Sequence, residues 1–100
     1  MKVKIRKNFR KHAKKYVQTP LEKKNLSNVI DFFYKNKKMP TDLQDHQLRH
    51  QIQGVRDCHL STNLVIIYYI SNDQQRAELI DVGPHDVVFK KGRDLDITGL

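Results

Sequence analysis

The sequence lacks several features that would place it in a specialised class of protein. It contains one cysteine, Cys58, which excludes an internal disulfide and a zinc site with several cysteine ligands. No apolar run approaches the roughly 20 residues that a membrane-spanning helix needs, and the basic N-terminus lacks the apolar segment of a signal peptide. Internal repeats and low-complexity segments are absent as well. These absences predict a cytoplasmic protein.

Acidic residues are missing from the first part of the chain, where Glu22 is the first to occur. Eight basic residues precede it: Lys2, Lys4, Arg6, Lys7, Arg10, Lys11, Lys14 and Lys15. The whole chain carries 19 Lys and Arg against 11 Asp and Glu, a net charge of +8. Such an imbalance favours a polyanionic partner, with nucleic acid ahead of an acidic protein or a membrane surface. A basic helix face that is only solvated is the alternative.

Length and composition predict one folded domain. The chain has 100 residues, of which 38% are hydrophobic and 30% charged, enough for one compact core. "KVKI" at residues 2 to 5 alternates like a half-buried strand, and 7 to 17 has the apolar spacing of an amphipathic helix. "TPLE" predicts a second helix start, with Thr19 as cap, Pro20 at the first position and Glu22 bonding back. Its buried face would hold Leu26, Val29, Ile30 and Phe33.

The second half of the chain reads as a polar loop followed by strands. "NLVIIYYI" at residues 63 to 70 is β-branched and aromatic, as expected of a central strand covered on both faces. Strands 54 to 60, 64 to 71 and 76 to 82 predict an antiparallel meander, with the last strand stopped by Gly83 and Pro84. The predicted class is α+β in the order β, α, α, β, β, β, with a strand and a helical hairpin packed on an antiparallel sheet.

Three of the five histidines, His46, His59 and His85, lie near the ends of the predicted strands, where rigid scaffolds usually carry function. A histidine has an unperturbed pKa of about 6.5, so a pair can act as base and acid near neutrality. Histidines that serve only as surface or packing residues are the alternative.

Metal binding is a further alternative for the histidines. His46 and His50 are four residues apart, and His59 or Asp57 could supply a third ligand. The Glu of the H-E-x-x-H pattern is missing, however, so the zinc signal is weak. Cys58 is a weaker candidate nucleophile still, because on a strand it alternates inward and a buried cysteine usually acts as a small hydrophobe.

Four segments carry a family resemblance in the same order and spacing. They are "DHQL" at 45 to 48, "GVRDCHL" at 54 to 60, "LVIIYYI" at 64 to 70 and "VGPHDVVF" at 82 to 89. Together they resemble the YafQ branch of the RelE superfamily of bacterial type II toxins. The resemblance implies a RelE-like toxin domain over residues 1 to 92, followed by a tail at 93 to 100. It also implies a ribosome-dependent endoribonuclease that cuts mRNA in the decoding site and is neutralised by a cognate antitoxin.

The resemblance further implies a set of site residues, namely His46, His59, His85 and Phe89. Metal-independent RNA cleavage needs a base for the 2′-hydroxyl, an acid for the leaving 5′-oxygen and positive charge near the phosphorus. We assign His46 as base and His85 as acid, roles that could be exchanged. His59 and Arg56 would hold the phosphate, and Phe89 would stack on a base or pack in the core.

The expected partners are the ribosome, mRNA and an antitoxin, without a membrane and without a cofactor. Lys11, Lys14 and Lys15 would contact RNA phosphates. The sequence departs from the family pattern at Asn63 and Leu64, where relatives usually carry an acidic residue and often an aromatic one. A non-catalytic RNA-binding or ribosome-binding domain of the same fold is therefore the second hypothesis. Strand alternation also predicts that Arg56 and Cys58 share one face of the sheet while Asp57 and His59 share the other.

Overall fold

The computed structural model describes residues 1–35 and 54–88, together with the backbone of a short strand at 46–47. Its elements in chain order are β1 (Lys2–Ile5), α1 (Lys7–Tyr16), α2 (Pro20–Tyr34), β2 (His46–Gln47), β3 (Val55–His59), β4 (Leu64–Ile70), β5 (Arg76–Pro84) and α3 (His85–Val88). The two helices and the three-stranded meander that the sequence predicts are therefore present. No described helix has the length and apolar character to cross a bilayer.

The strands form one sheet in the order β1-β5-β4-β3-β2. The meander β3-β4-β5 is antiparallel as predicted, and β2 extends it by two residues on β3. The N-terminal strand β1 pairs with β5 in parallel, with Lys2 opposite Arg76 and Ile5 opposite Leu79. The predicted α+β class is thus confirmed, but the sheet is mixed rather than wholly antiparallel. Sequence periodicity identifies a strand and leaves the direction of its partner open.

Helix α1 continues from β1 and packs along β5. The backbone N–H of Arg6 donates to the carbonyl of Leu79, which holds the start of the helix on that strand. Six residues further on, Nδ1 of His12 lies 2.6 Å from Oδ1 of the buried Asp81. The side of α1 that carries Phe9 enters the core, so the lysines between the apolar positions stay exposed.

Helix α2 begins with the predicted capping box. The backbone N–H of Glu22 donates to the Thr19 hydroxyl at 3.1 Å, and the backbone N–H of Thr19 donates to the Glu22 carboxylate at 3.1 Å. Val29 and Phe33 are the buried residues of this helix. The ring of Phe33 packs against Tyr68 of β4, with 5.1 Å between the ring centroids, which fixes α2 over the centre of the sheet.

We expect Glu22→Gln to destabilise the fold by about 0.3–1 kcal/mol at neutral pH, because glutamine can keep the capping-box bond to Thr19 but loses the negative charge that the helix N-terminus favours. Burial acts to raise the pKa of Glu22, but hydrogen bonds from the backbone of Thr19 and Gln18 and from Ser61 outweigh it and lower the pKa below 4.5. A lowered folded-state pKa gives stability that is present above the unfolded value and lost as pH falls through the folded value.

Urea unfolding of both proteins at pH 7 and pH 3 checks this expectation. The difference in unfolding free energy between Glu22→Gln and the parent chain should shrink at pH 3, where the parent carboxyl takes up a proton. A difference that is equal at the two pH values would contradict a stabilising role for the charge. Asp31→Gln, an exposed carboxylate on the same helix, is the control and should cost less than the capping residue at pH 7.

Strand β4 is covered on both faces, as its composition predicts. Leu64, Ile66 and Tyr68 join the core that faces the helices, whereas Val65 and Ile67 join a second cluster on the other side of the sheet. Cys58 is fully buried in the helix-facing core. It therefore packs as a small hydrophobe, which agrees with the inward alternation expected for it.

Three features of β5 and of the residues after it differ from the prediction. Gly83 and Pro84 do not stop β5, which continues to Pro84 opposite Leu64. The pairing of β5 with β4 shifts register between Ile67 and Tyr68, a bulge that periodicity does not reveal. A one-turn helix begins at His85, and the sequence predicts no helix there. Several predictions fall outside the described residues, namely most of the polar loop, His50, Phe89 and the tail at 93 to 100.

Candidate functional site

Two of the predicted histidines meet at one end of the sheet. His59 ends β3 and pairs with Val65 of β4, which in turn pairs with Gly83 of β5. His85 starts α3 two residues later. The centroids of the His59 and His85 rings lie 6.5 Å apart with an angle of 38° between the rings. The two histidines are 26 positions apart in sequence (85 − 59), so the antiparallel meander is what brings them together.

The turn between β3 and β4 fixes the backbone of His85. The N–H of His85 donates to the carbonyl of Asn63 at 2.8 Å. Asn63 directly precedes β4 and is exposed to solvent. The position where the sequence departs from the family pattern therefore lies directly beside the histidine pair, and its backbone serves the site whatever its side chain is.

The third predicted histidine, His46, belongs to the short edge strand β2. Its backbone pairs with Asp57 of β3, two residues before His59. Adjacent strands thus carry positions 46 and 59, while the side chain of His46 lies outside the described part of the structure. Asp57 itself is buried. The sheet therefore places position 46 one strand away from the histidine pair.

Arg56 leaves the sheet on the other face from His59. Arg56 pairs with Tyr68, a residue of the helix-facing core, whereas His59 pairs with Val65, a residue of the opposite cluster. The β3–β4 register is regular from Val55 to His59, so no bulge turns Arg56 back. This register does not favour the shared phosphate contact that the sequence suggested for Arg56 and His59.

Helix α1 reaches the same end of the sheet with one of its predicted RNA-binding lysines. A Cβ atom placed on Gly83 would lie 3.6 Å from ring atoms of Tyr16 and 3.2 Å from Val88, so Tyr16 contacts the strand just before His85. The Nζ of Lys15 lies 5.2 Å from the centroid of the Tyr16 ring. Lys15 is therefore linked through Tyr16 to the strand that carries His85.

The described residues do not assemble a metal site. Among them, no group of three His, Cys, Asp or Glu side chains comes close enough to hold an ion. The zinc hypothesis involved His46 and His50, whose side chains are not described, so that hypothesis is not tested by this geometry. An open groove lined by Met1, Tyr34, Ser71 and Arg76 among others lies at the opposite ends of β4 and β5, away from the histidines.

Comparison with known proteins identifies the family. A family described as "Bacterial toxin of type II toxin-antitoxin system, YafQ" matches residues 1–90. The chain belongs to the YafQ family of bacterial toxins. The resemblance that four short segments carried is thus confirmed over nine tenths of this YafQ-family toxin. A comparison with curated proteins finds no match.

Solved structures support the same fold for this YafQ-family toxin. A metal-bound toxin from Helicobacter pylori is 25% identical, with a TM-score of 0.76 over 89% of this chain and 99% of that one. The E. coli DinJ-YafQ complex gives 21% identity and a TM-score of 0.73 over 87% of this chain and 96% of the other. A copper-bound mutant toxin from Helicobacter pylori gives 25% and 0.75, with coverage of 89% and 99%.

Sequence reasoning missed the residues that hold this site in place. The carbonyl of Asn63, the Tyr16 ring and the His12–Asp81 contact all act across elements that are far apart in sequence. Backbone carbonyls carry no residue-specific signal. Tyr16 falls within the amphipathic helix predicted at 7 to 17, and its place beside Gly83 follows from the packing of α1 on β5.

Proposed function

We propose that this toxin is a ribosome-dependent endoribonuclease, an mRNA interferase that cuts messenger in the ribosomal A site by metal-independent acid-base chemistry. It would act in the cytoplasm, where translating ribosomes are found, and a cognate antitoxin would hold it inactive. The single observation that carries the proposal is the His59–His85 pair, 6.5 Å between ring centroids, at the end of a sheet in a chain of net charge +8. The YafQ family match supports it.

The separation of the two rings suits one phosphodiester. Hydrogen bonds to phosphate oxygens run about 2.7–3.2 Å, so a phosphate placed between the rings can accept from both. In the proposed reaction a base removes the proton of the 2′-hydroxyl, and the 2′-oxygen then bonds to the adjacent phosphorus. The bond from phosphorus to the 5′-oxygen breaks, and an acid protonates that oxygen as it leaves. The products are a 2′,3′-cyclic phosphate and a 5′-hydroxyl.

The residues divide these tasks by position. His85 begins α3 at the exposed rim of the site and serves as the acid, while His59, half-buried on the sheet, holds the phosphate and its developing charge. His46 on the neighbouring strand is the base. Phe89, one residue beyond α3 in sequence, would stack on a base of the RNA. Lys15 adds positive charge beside Tyr16.

Primer extension on translating ribosomes tests the proposal. Purified toxin should produce discrete breaks inside codons, and His59→Ala should reduce them because the phosphate loses one of its two ring contacts. Stalled ribosomes on intact messenger would instead favour a non-catalytic ribosome-binding domain. That second function draws support from Asn63, an amide where relatives usually carry an acidic residue near the histidines.

We expect Lys11, Lys14 and Lys15 to bind RNA phosphates, since all three are exposed on α1. Replacing the three by Gln should weaken ribosome binding and flatten its salt dependence by up to about 2 to 3 in the slope of log K against log salt, since each phosphate contact contributes roughly 0.7–0.9. Cleavage by the bound complex should change little. Titrations at several salt concentrations measure the slope.

The matched control removes the same charge from α2. Lys23 and Lys24 of α2 and its C-cap residue Lys35 are also exposed, but they belong to the helix that covers the centre of the sheet. Their replacement by Gln should leave most of the salt slope in place. An equal loss of slope in the two triple variants would show that net charge, rather than the α1 surface, governs binding.

We expect cleavage to need no metal held by the toxin, because acid-base chemistry by histidines supplies both proton transfers. Two similar Helicobacter pylori toxins were solved with bound metal, so metal binding by this toxin should be measured directly. Cleavage should survive exchange of the divalent ions that keep the ribosome intact, and elemental analysis of the purified toxin should find no stoichiometric metal. Zinc bound stoichiometrically and lost in His46→Ala, His50→Ala and His59→Ala would replace the acid-base scheme.

A further inference from the structure

The turn between β3 and β4, residues 60 to 63, links the two histidines. It follows His59 directly in sequence, and at its other end the carbonyl of Asn63 accepts the N–H of His85 at 2.8 Å. Leu60 N–H donates to the carbonyl of Leu64 at 2.8 Å, which closes the turn on itself. Any displacement of this turn therefore moves the end of β3 relative to the start of α3, and with it the distance between the two rings.

Helix α2 holds this turn from the other side. The side-chain amide of Asn25 donates to the carbonyl of Leu60 at 2.8 Å, across 35 residues of sequence. One turn earlier on the same helix face, the Glu22 carboxylate accepts from the Ser61 hydroxyl at 3.1 Å. Asn25 and Glu22 are half-buried, so these bonds are partly shielded from water. The residue next to His59 thus has its N–H fixed within the turn and its carbonyl fixed by α2.

We propose that Asn25 is a positioning residue for the His59–His85 pair, acting through the carbonyl of Leu60 and the β3–β4 turn. The inference rests on the proposed function for its catalytic consequence. Asn25 donates its amide to the chain between the rings and needs no contact with RNA. Catalytic groups must be held within about 0.5 Å of the productive geometry, and a misplacement of about 1 Å can cost 10²-fold in rate. The Leu60 side chain, 1% exposed in the core, keeps the turn folded when Asn25 is replaced. Loss of the Asn25 bond to the Leu60 carbonyl therefore shifts the turn slightly and leaves the fold intact.

The first test measures the link between Asn25 and the His85 backbone and needs no cleavage assay. Hydrogen exchange of the His85 amide, followed by NMR in the free toxin, reports the bond to Asn63 directly. Asn25→Ala should make this amide exchange at least tenfold faster, whereas amides in the second half of α2 keep their wild-type rates. Asn28→Ala, the same change at an exposed position of the same helix, is the control and should leave His85 exchange as it is.

The second test reads the catalytic consequence. Single-turnover cleavage by saturating Asn25→Ala on programmed ribosomes should be about tenfold to a hundredfold slower, while ribosome affinity is unchanged. Asn25→Gln, which keeps the amide donor, should recover part of the rate. A variant with only a structural defect would contain fewer folded molecules, but each folded molecule would cleave at the wild-type rate. The measured rate is therefore divided by the concentration of folded protein. Ser61→Ala, which removes the neighbouring contact, should show the same pattern and serves if Asn25→Ala fails to fold.

The outcomes separate this inference from the function on which it rests. Unchanged His85 exchange in both Asn25→Ala and Ser61→Ala overturns the positioning role, and so does unchanged cleavage when exchange is faster. Wild-type toxin that cuts no messenger overturns the proposed function instead. In that case His85 exchange still decides whether Asn25 holds the two rings in register.

Discussion

His85→Gln should lose about 10²- to 10⁴-fold in messenger cleavage, the usual range for removal of a general acid. Glutamine fills a similar volume and cannot donate a proton to the leaving 5′-oxygen. His85 is exposed and its backbone N–H bonds to Asn63 through an atom that the substitution keeps. Stability and antitoxin binding should therefore be unchanged. Rates of single-turnover cleavage on programmed ribosomes measure the loss.

The kinetic parameter that changes distinguishes an acid from a residue that only binds. An acid acts on the leaving 5′-oxygen in the transition state, so His85→Gln should lower the single-turnover rate at saturating toxin and leave ribosome affinity unchanged. His59→Gln should also raise the toxin concentration that gives half of the maximal rate, since His59 holds phosphate in this scheme. Retention of full activity in His85→Gln would remove His85 from the mechanism.

Gly54→Ala should destabilise the fold by about 2–4 kcal/mol, the scale of backbone strain added to overpacking. Gly54 has a φ of +94°, a conformation that L side chains rarely adopt. A Cβ atom there would lie 2.5 Å from the carbonyl oxygen of Ile70 and 2.9 Å from the Tyr69 ring. The carbonyl of Gly54 also accepts the N–H of Ile70 at 3.0 Å. Gly54 and the end of β4 therefore cannot move apart without breaking this hydrogen bond. Urea unfolding measures the change.

Gly83→Ala is the matched comparison for this substitution. Its added methyl would lie 3.2 Å from Val88 and 3.6 Å from Tyr16, both of them side chains that can move by a few tenths of an ångström. We expect a loss of about 1 kcal/mol there, a mild case of overpacking. If Gly83→Ala proved as damaging as Gly54→Ala, side-chain crowding rather than backbone strain would dominate at both positions.

Local chemistry made most of the fold predictable. The capping box at Thr19 and Glu22 and the unbroken apolar run of β4 each depend on residues close together in sequence. The parallel pairing of β1 and the continuation of β5 through Pro84 depend on partners far away. Periodicity reports which faces of an element are buried and carries no record of which neighbour buries them.

The candidate site divides along the same line. Histidines at strand ends pointed to His59 and His85, and the antiparallel meander then brings them within 6.5 Å. Strand alternation also predicts that Arg56 and His59 lie on opposite faces of the sheet, and the pairing of β3 with β4 agrees with this prediction. Asn25 gave no signal, because its partner is the backbone of Leu60, 35 residues away, and any residue at position 60 would present the same carbonyl.

The parallel pairing of β1 with β5 also bears on how the nascent chain folds on its own ribosome. The buried ion pair between Arg6 and Glu78, 2.9 Å between Nη2 and Oε1, joins residues 72 positions apart. Contacts of such separation form late, because the whole intervening chain must first be ordered or looped out. His85 directly follows β5, the strand with which β1 pairs. The pairing of β1 and the assembly of the histidine pair therefore both require β5, so neither can form until that strand has been synthesised.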